Sequence, residues 1–427
     1  MRLIKLGLLV GLVGCSNDVD PRLIPGGGVG DGEIDGVLNV HVIDTATDTP
    51  VGNAVVRVGD TEKTTNEKGL VTFEDVEGKQ TIAVKVGGYR SQVWAGVNGA
   101  NVTVPVTPMT SGAPAQATLG GTISGWDQIL VATGHTKAAI VLYSQTDEVG
   151  GDANDIQTPG NMNLCIGAAA CNWRVNSRTG TVTVLAAIID RDGKGTIANP
   201  DDDTQVIIGY AFKSGITVTS GINQMGFVLD QVEAGNLQTV TVDLGTAPAS
   251  LTESASIVGL EIGGGEIVQL PLFLQTQTMS LVAPKLTVFG SSATYRLTAV
   301  AQTTSGDRGA QSIVLRQGLT ATTLAAGEWL VPPAGLTISR TSASFTQSAG
   351  AKGHSITWSD GISELLEISI FDSTATIDVP SLVALPATGA LTTKVSALGV
   401  DFDVSDFSLT DDQDEIWGIA TEPATVP

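Results

Sequence analysis

Six residues have the type and spacing to do chemistry: Cys15, Cys165, Cys171, Asp190, Asp192 and Asp201. In IIDRDGKGTIANPDDDTQ (188–205), Asp190 and Asp192 stand at alternate positions, Gly193 and Gly195 follow, and three aspartates fill 201–203. Calcium takes roughly six to eight hard oxygens, often from Asp at alternate positions. Asp190 and Asp192 offer two such ligands, Asp201 could close the set, and calcium is the one cofactor the sequence suggests. Lys194 stands where an EF-hand loop would supply another oxygen, so the segment is a poor EF-hand. The other reading, and the preferred one, is a solvated hairpin loop whose Asp and Gly serve turn geometry. Cys165 and Cys171 lie in NLCIGAAACNW with no matching His or Cys pair nearby, which argues against a metal site. In an exported chain this pair predicts a disulfide closing a small loop, worth about 2 kcal/mol in the chain-entropy model.

The remaining catalytic inventory is thin. The three histidines are His41, His135 and His354, and none lies in H-E-x-x-H. His41 alternates with Val40 and Val42 and is expected on the outer face of a strand; His354 is expected at a strand start in a structural role. Neither a G-x-S-x-G elbow nor a phosphate-binding G-x-x-x-x-G-K-[ST] occurs. Paired carboxylates within 118–427 are the route by which hydrolysis of glycan or peptide stays open. The tryptophans are dispersed and read as packing residues.

The elements that must hold these residues are strands. The chain has 22 basic and 44 acidic residues and a net charge of −22, which opposes binding to nucleic acid. Only 15% of residues are charged and 42% are hydrophobic, so the acidity does not imply disorder. Glycine is abundant at 51 residues, and short β-branched or alternating runs recur between Gly, Asp, Asn and Pro. That pattern predicts an all-β chain of tandem β-sandwich domains.

The N-terminus has a basic start (Arg2, Lys5), an apolar run over 6–13, and Leu12-Val13-Gly14-Cys15. The run is too short for a bilayer core, which needs about 20 residues, and fits a secretory signal. The last four residues resemble the lipobox of bacterial lipoproteins. The resemblance implies a signal peptide over 1–14, cleavage before Cys15, and lipid on its thiol. Ser16 in place of Asp then leans towards the outer membrane, facing either the periplasm or the surface. Residues 17–36 are rich in Gly, Pro and acidic residues, so 15–35 is expected to be a lipidated N-terminus and flexible tether.

Residues 36–107 form the clearest unit, with runs at 37–44, 53–58, 70–73, 81–86 and 100–106. Gly36, Asp44, Pro50, Ala54, Val56, Thr65, Gly69, Phe73, Gly78 and Gly88-Tyr89 resemble the carboxypeptidase regulatory-like domain, a transthyretin-like, Ig-like sandwich. The resemblance implies an accessory module without catalytic residues. A Pro/Gly/Ser-rich joint follows at 107–117. Then come a β-rich domain at 118–246 holding the disulfide loop and a C-terminal sandwich-like domain at 256–427, unless 118–427 is one unit. The expected function is that of a non-enzymatic, membrane-anchored envelope lipoprotein that binds or supports, its partner an envelope protein or glycan. An envelope hydrolase and a subunit of a larger envelope complex are the alternatives.

Overall fold

The computed structural model describes residues 31–45, 47, 49–109, 116–145, 170–194, 204–262, 266–269, 279–303, 309–400 and 416–426. The fold is all-β, as its β-branched alternation dictates. The helical elements are short 3-10 turns such as Ala234–Asn236 and Ser381–Val383. No helix of the described residues is long and apolar enough to cross a membrane.

The N-terminal region contributes β1 (Asp31–Glu33), β2 (Asp35–Asp44), β3 (Val55–Val58), β4 (Thr61–Thr64), β5 (Leu70–Glu77), β6 (Gln80–Lys85), β7 (Ser91–Val97) and β8 (Gly99–Val106). The middle holds β9 (Gln116–Ser124), β10 (Thr136–Gln145), β11 (Ala170–Arg178), β12 (Gly180–Asp192) and β13 (Thr204–Val218). Next come β14 (Gly221–Gln224), β15 (Phe227–Val228), β16 (Asp230–Gln231) and β17 (Leu237–Asp243). The chain continues through β18 (Glu253–Ile262), β19 (Glu266–Gln269), β20 (Met279–Pro284), β21 (Thr294–Gln302), β22 (Gln311–Leu319) and β23 (Thr323–Ala325). It ends with β24 (Ala334–Ile338), β25 (Ser342–Thr346), β26 (Gly353–Ser359), β27 (Glu364–Ile370), β28 (Thr376–Asp378), β29 (Leu391–Val400) and β30 (Ile416–Val426).

One 12-stranded sheet, ordered β19-β18-β21-β22-β30-β29-β26-β27-β7-β6-β3-β4, runs through the molecule. Its β7-β6-β3-β4 end packs against the four-stranded sheet β1-β8-β2-β5 to enclose Leu38, Val40, Val56, Phe73, Ile82 and Val104. A three-stranded sheet, β24-β25-β28, covers the middle over Trp358, Ile356, Ile368 and Val395. The β18-β21-β22 end packs on a seven-stranded sheet, β10-β12-β13-β20-β17-β23 with β16 beside β13. That sheet is buried on both faces, and β12 shows why its sequence is a continuous apolar run rather than an alternating one. Leu185, Ala187 and Ile189 face Tyr295 and Leu297, while Val182, Val184, Ala186 and Ile188 face Leu119, Ile123 and Phe227 of the small sheet β11-β9-β14 and its attached β15. A residue alternation of period two therefore feeds two cores at once.

The residues that suggested a module at 36–107 each have a local cause. Gly36, Gly69, Gly78 and Gly88 all have positive φ. Gly69 is the most constrained: a Cβ there would lie 2.5 Å from the Val42 carbonyl and 3.2 Å from the His41 ring. Thr65 is buried, donates to the Val51 carbonyl at 2.8 Å and accepts from the Ala54 N–H at 2.9 Å. The Tyr89 hydroxyl donates to Asp44 at 2.7 Å, which also accepts from the Thr47 N–H. The outward placement expected of His41 is overturned: it is only 1% exposed. Gly69 and its loop close over the strand, with Val42 N–H donating to the Gly69 carbonyl at 2.9 Å. Burial lowers the pKa of the His41 ring, which keeps it neutral.

Candidate functional site

Asp190 and Asp192 sit two apart on β12, so their side chains share a face. Thr136 of β10 pairs with Arg191, which brings the preceding residue, His135, beside both carboxylates. His135 Nδ1 lies 2.9 Å from Asp190 Oδ1, and its Nε2 lies 3.7 Å from Asp192 Oδ2. Lys194, at φ +48, folds back on the same carboxylate. Its N–H donates to Asp192 Oδ1 at 2.9 Å and its Nζ to Oδ2 at 2.6 Å. These Lys194 contacts, aided by His135, hold the Asp192 carboxyl below the usual carboxylate range. Such a side-chain-closed turn is what Asp supplies after a strand.

Asp201 lies outside the described residues. Among the described residues, no group of three or more His, Cys, Asp or Glu could hold a metal ion. The Asp190–Asp192 face meets an imidazole and an ammonium where a calcium site wants oxygens. With millimolar calcium the expected melting temperature is therefore unchanged. A calcium-dependent rise that Asp192→Asn removes would instead require a site at Asp190, Asp192 and Asp201, because a ligand of the folded state stabilises it.

Cys15 and Cys165 lie outside the described residues. Cys171 lies in β11, where its backbone pairs with Ile123. We propose the Cys165–Cys171 bridge on the strength of the sequence. Alkylation of freshly isolated protein without reductant should leave both cysteines unlabelled, and two labelled thiols would refute the bridge.

His354 is buried at 3% exposure, packs on Phe345 with ring centroids 5.1 Å apart, and accepts the Ser348 N–H at Nε2 over 3.2 Å. Burial pushes its pKa down from 6.5 to about 4. A base whose folded pKa is depressed binds its proton more readily when unfolded. Its contribution is therefore complete above pH 6.5 and is lost as pH falls towards 4. Full loss corresponds to roughly 3 kcal/mol, and urea titrations from pH 7 to 4.5 should show a shallower decline for His354→Gln. Parallel declines would rule the group out.

Two features had no sequence signal. Arg90, 4% exposed at the start of β7, binds Glu364 and lies 2.5 Å from Glu367 of β27. Gln92 Nε2 donates to the same Glu367 carboxylate at 3.1 Å. Burial raises the Glu367 pKa, against the pull of Arg90 and Gln92. These residues tie the parallel seam between β7 and β27, in which Gln92 pairs with Glu367. The second feature is a cleft of about 1070 Å³ beside β30, lined by Gln302, Gln311, residues 331–336, Lys394 and residues 421–425. Burial lowers the pKa of Lys394, opposed by Glu364, and raises that of Glu422.

No family model matches the chain, and no curated protein matches it. Among solved structures it is similar to the TIE protein of Bacillus anthracis, at 10% identity and a TM-score of 0.15, over 68% of this chain and 49% of that one. It is also similar to the tip fimbrial protein Mfa3 of Porphyromonas gingivalis, at 9% identity and a TM-score of 0.17, over 48% and 79%. A third is the minor pilin GBS52 of Streptococcus agalactiae, at 10% identity and a TM-score of 0.15, over 46% and 97%. The chain thus spans about half the length of the first of these. At such scores the likenesses carry no argument about what the chain does.

Proposed function

We propose that the chain is an exported lipoprotein, lipidated at Cys15 and held on the cell envelope, whose β-sandwich modules bind or support without catalysing. In this reading 15–35 is the tether, 36–107 is a carboxypeptidase regulatory-like module, and 118–246 and 256–427 are the further β units. The observation that carries it is the 12-stranded sheet, which joins the first module to the last in one hydrogen-bonded framework. A framework of that kind suits presenting a surface, since strand pairing leaves little room for closing lids. Thr65, Gly69 and the Tyr89–Asp44 bond support the module reading, because each satisfies a buried group or a tight approach at a position the resemblance picks out.

Glycoside hydrolysis asks for two carboxyl groups facing across a cleft. Among the described residues lining the cleft beside β30, Glu422 is the one acid. The purified full chain should therefore leave peptidoglycan, polysaccharide and peptide substrates unchanged, while crosslinking in intact cells should capture an envelope protein or glycan. Turnover lost on substituting a single Asp or Glu, with folding retained, would establish the hydrolase instead. Capture in fixed stoichiometry with other envelope proteins would establish a complex subunit.

A further inference from the structure

We infer that the cleft beside β30 receives an extended peptide as an added strand, with an acidic and a basic residue adjacent in its sequence. β30 pairs with β29 along residues 416–426 but with β22 only through Gly418, Ile419, Ala420 and Thr421. Among the described residues, 422–426 therefore pair with a strand on one side only, with β24 packed nearby. Among the described residues, no other backbone hydrogen bond reaches them. The cleft opens along this bare edge. A row of backbone donors and acceptors is satisfied over several residues only by another extended backbone. About five residues of such a strand, roughly 17 Å, would cover the free stretch.

The occupant's chemistry follows from the pleat. Lys394 pairs with Pro423, and Glu422 pairs with Val395. Val395 is wholly buried in the core beneath β24-β25-β28. Glu422 therefore points to the core side of the sheet and Lys394 to the opposite side. Neither side chain has a hydrogen-bond or ion-pair partner among the described residues, and Glu364, the charge Lys394 senses, is already bound to Arg90. An incoming strand places successive side chains on opposite faces. An acidic residue beside Pro423 meets Lys394, and its neighbour, if basic, meets Glu422. Val331, 49% exposed, lines the cleft, and Ile362, 94% exposed, adjoins the lining residue Gly361. Val331 offers apolar contact to the strand.

This inference deepens the non-catalytic binding reading and rests on it. The test uses the full chain and the capped peptide acetyl-Val-Thr-Asp-Lys-Val-Thr-amide, with a second peptide in Lys-Asp order and a third N-methylated at alternate amides. Calorimetry should show binding of at least one charged order, and hydrogen exchange at 422–426 should slow on binding. N-methylation should abolish binding. Lys394→Glu should weaken it about tenfold, and replacing the peptide's Asp with Lys should restore it. The milder Lys394→Gln, checked by its melting temperature, covers the event that charge reversal disturbs folding. Binding indifferent to N-methylation or to both Lys394 variants would overturn the inference, as would dimerisation of the chain through 422–426 without peptide. No binding, with the peptide recovered intact, would overturn it and leave the envelope role standing. Peptide recovered cleaved would overturn both.

Discussion

Replacing Arg90 with methionine is expected to lower stability by about 3–5 kcal/mol at pH 7, the range for breaking a buried ion pair by removing one partner. The methionine keeps most of the volume, so the loss is electrostatic. It leaves Glu367, itself 3% exposed, with only the Gln92 amide, and leaves Glu364 beside it. The carboxyl of Glu367 is already pushed up by burial from its reference of 4.5. A carboxyl with a raised folded pKa holds its proton better in the fold than in the unfolded chain. The penalty is thus absent below the reference value and grows as pH rises through the folded one. The variant should therefore lose less at pH 5 than at pH 7. Adding Glu367→Leu should recover much of the loss, because buried pairs are often replaceable by apolar groups of similar size. Urea unfolding followed by hydrogen exchange at β7 and β27 reads both effects. A loss under about 1 kcal/mol would mean that the network does not hold the seam.

Replacing Cys15 with alanine should shift the protein from membrane-bound and processed to unlipidated, an all-or-none change. Each buried methylene contributes about 0.8 kcal/mol, so two or three long chains anchor stably where one does not. The described residues offer no membrane-spanning helix to compensate. Detergent phase partition should place the wild type in the detergent phase and the variant in the aqueous phase or in the unprocessed precursor pool. Mass analysis of the wild-type N-terminus should show acylated Cys15. An unacylated wild type beginning at another residue would remove the anchor from the proposal.

How far the sequence could be read depends on the range of the interactions. The segment TYRLTAVAQ reads as a strand and is β21, with Tyr295, Leu297 and Ala299 alternating into one core. The run 336–347 reads as one strand but is the hairpin of β24 and β25, turned at residues 339–341, where Ser339 Oγ accepts the N–H groups of Thr341 and Ser342. The run 224–230 breaks at Gly226 into short pieces. Within 36–107, β4 and β7 fall outside the runs that read as strands. β4 is four exposed polar residues at a sheet edge, while β7 is a clear apolar stretch hidden among turn glycines. His41 reads as outward because alternation is blind to a loop that folds back over its strand. His135 reads as isolated because its partnership with Asp190 depends on how β10 pairs with β12. The cleft and the β7–β27 seam have no local signature at all, since each is made by residues far apart in the chain.

That seam also sets a timetable. Gln92 and its partner Glu367 are 275 positions apart. A chain that emerges from its N-terminus therefore makes β7 long before β27 exists. Until then the inner edge of the first module stands open, with Val93 and Ala95 uncovered, a template for any passing strand. Closing so long a loop is slow. The interval before residue 366 arrives is therefore the one in which β7 stands open to pairing with another copy.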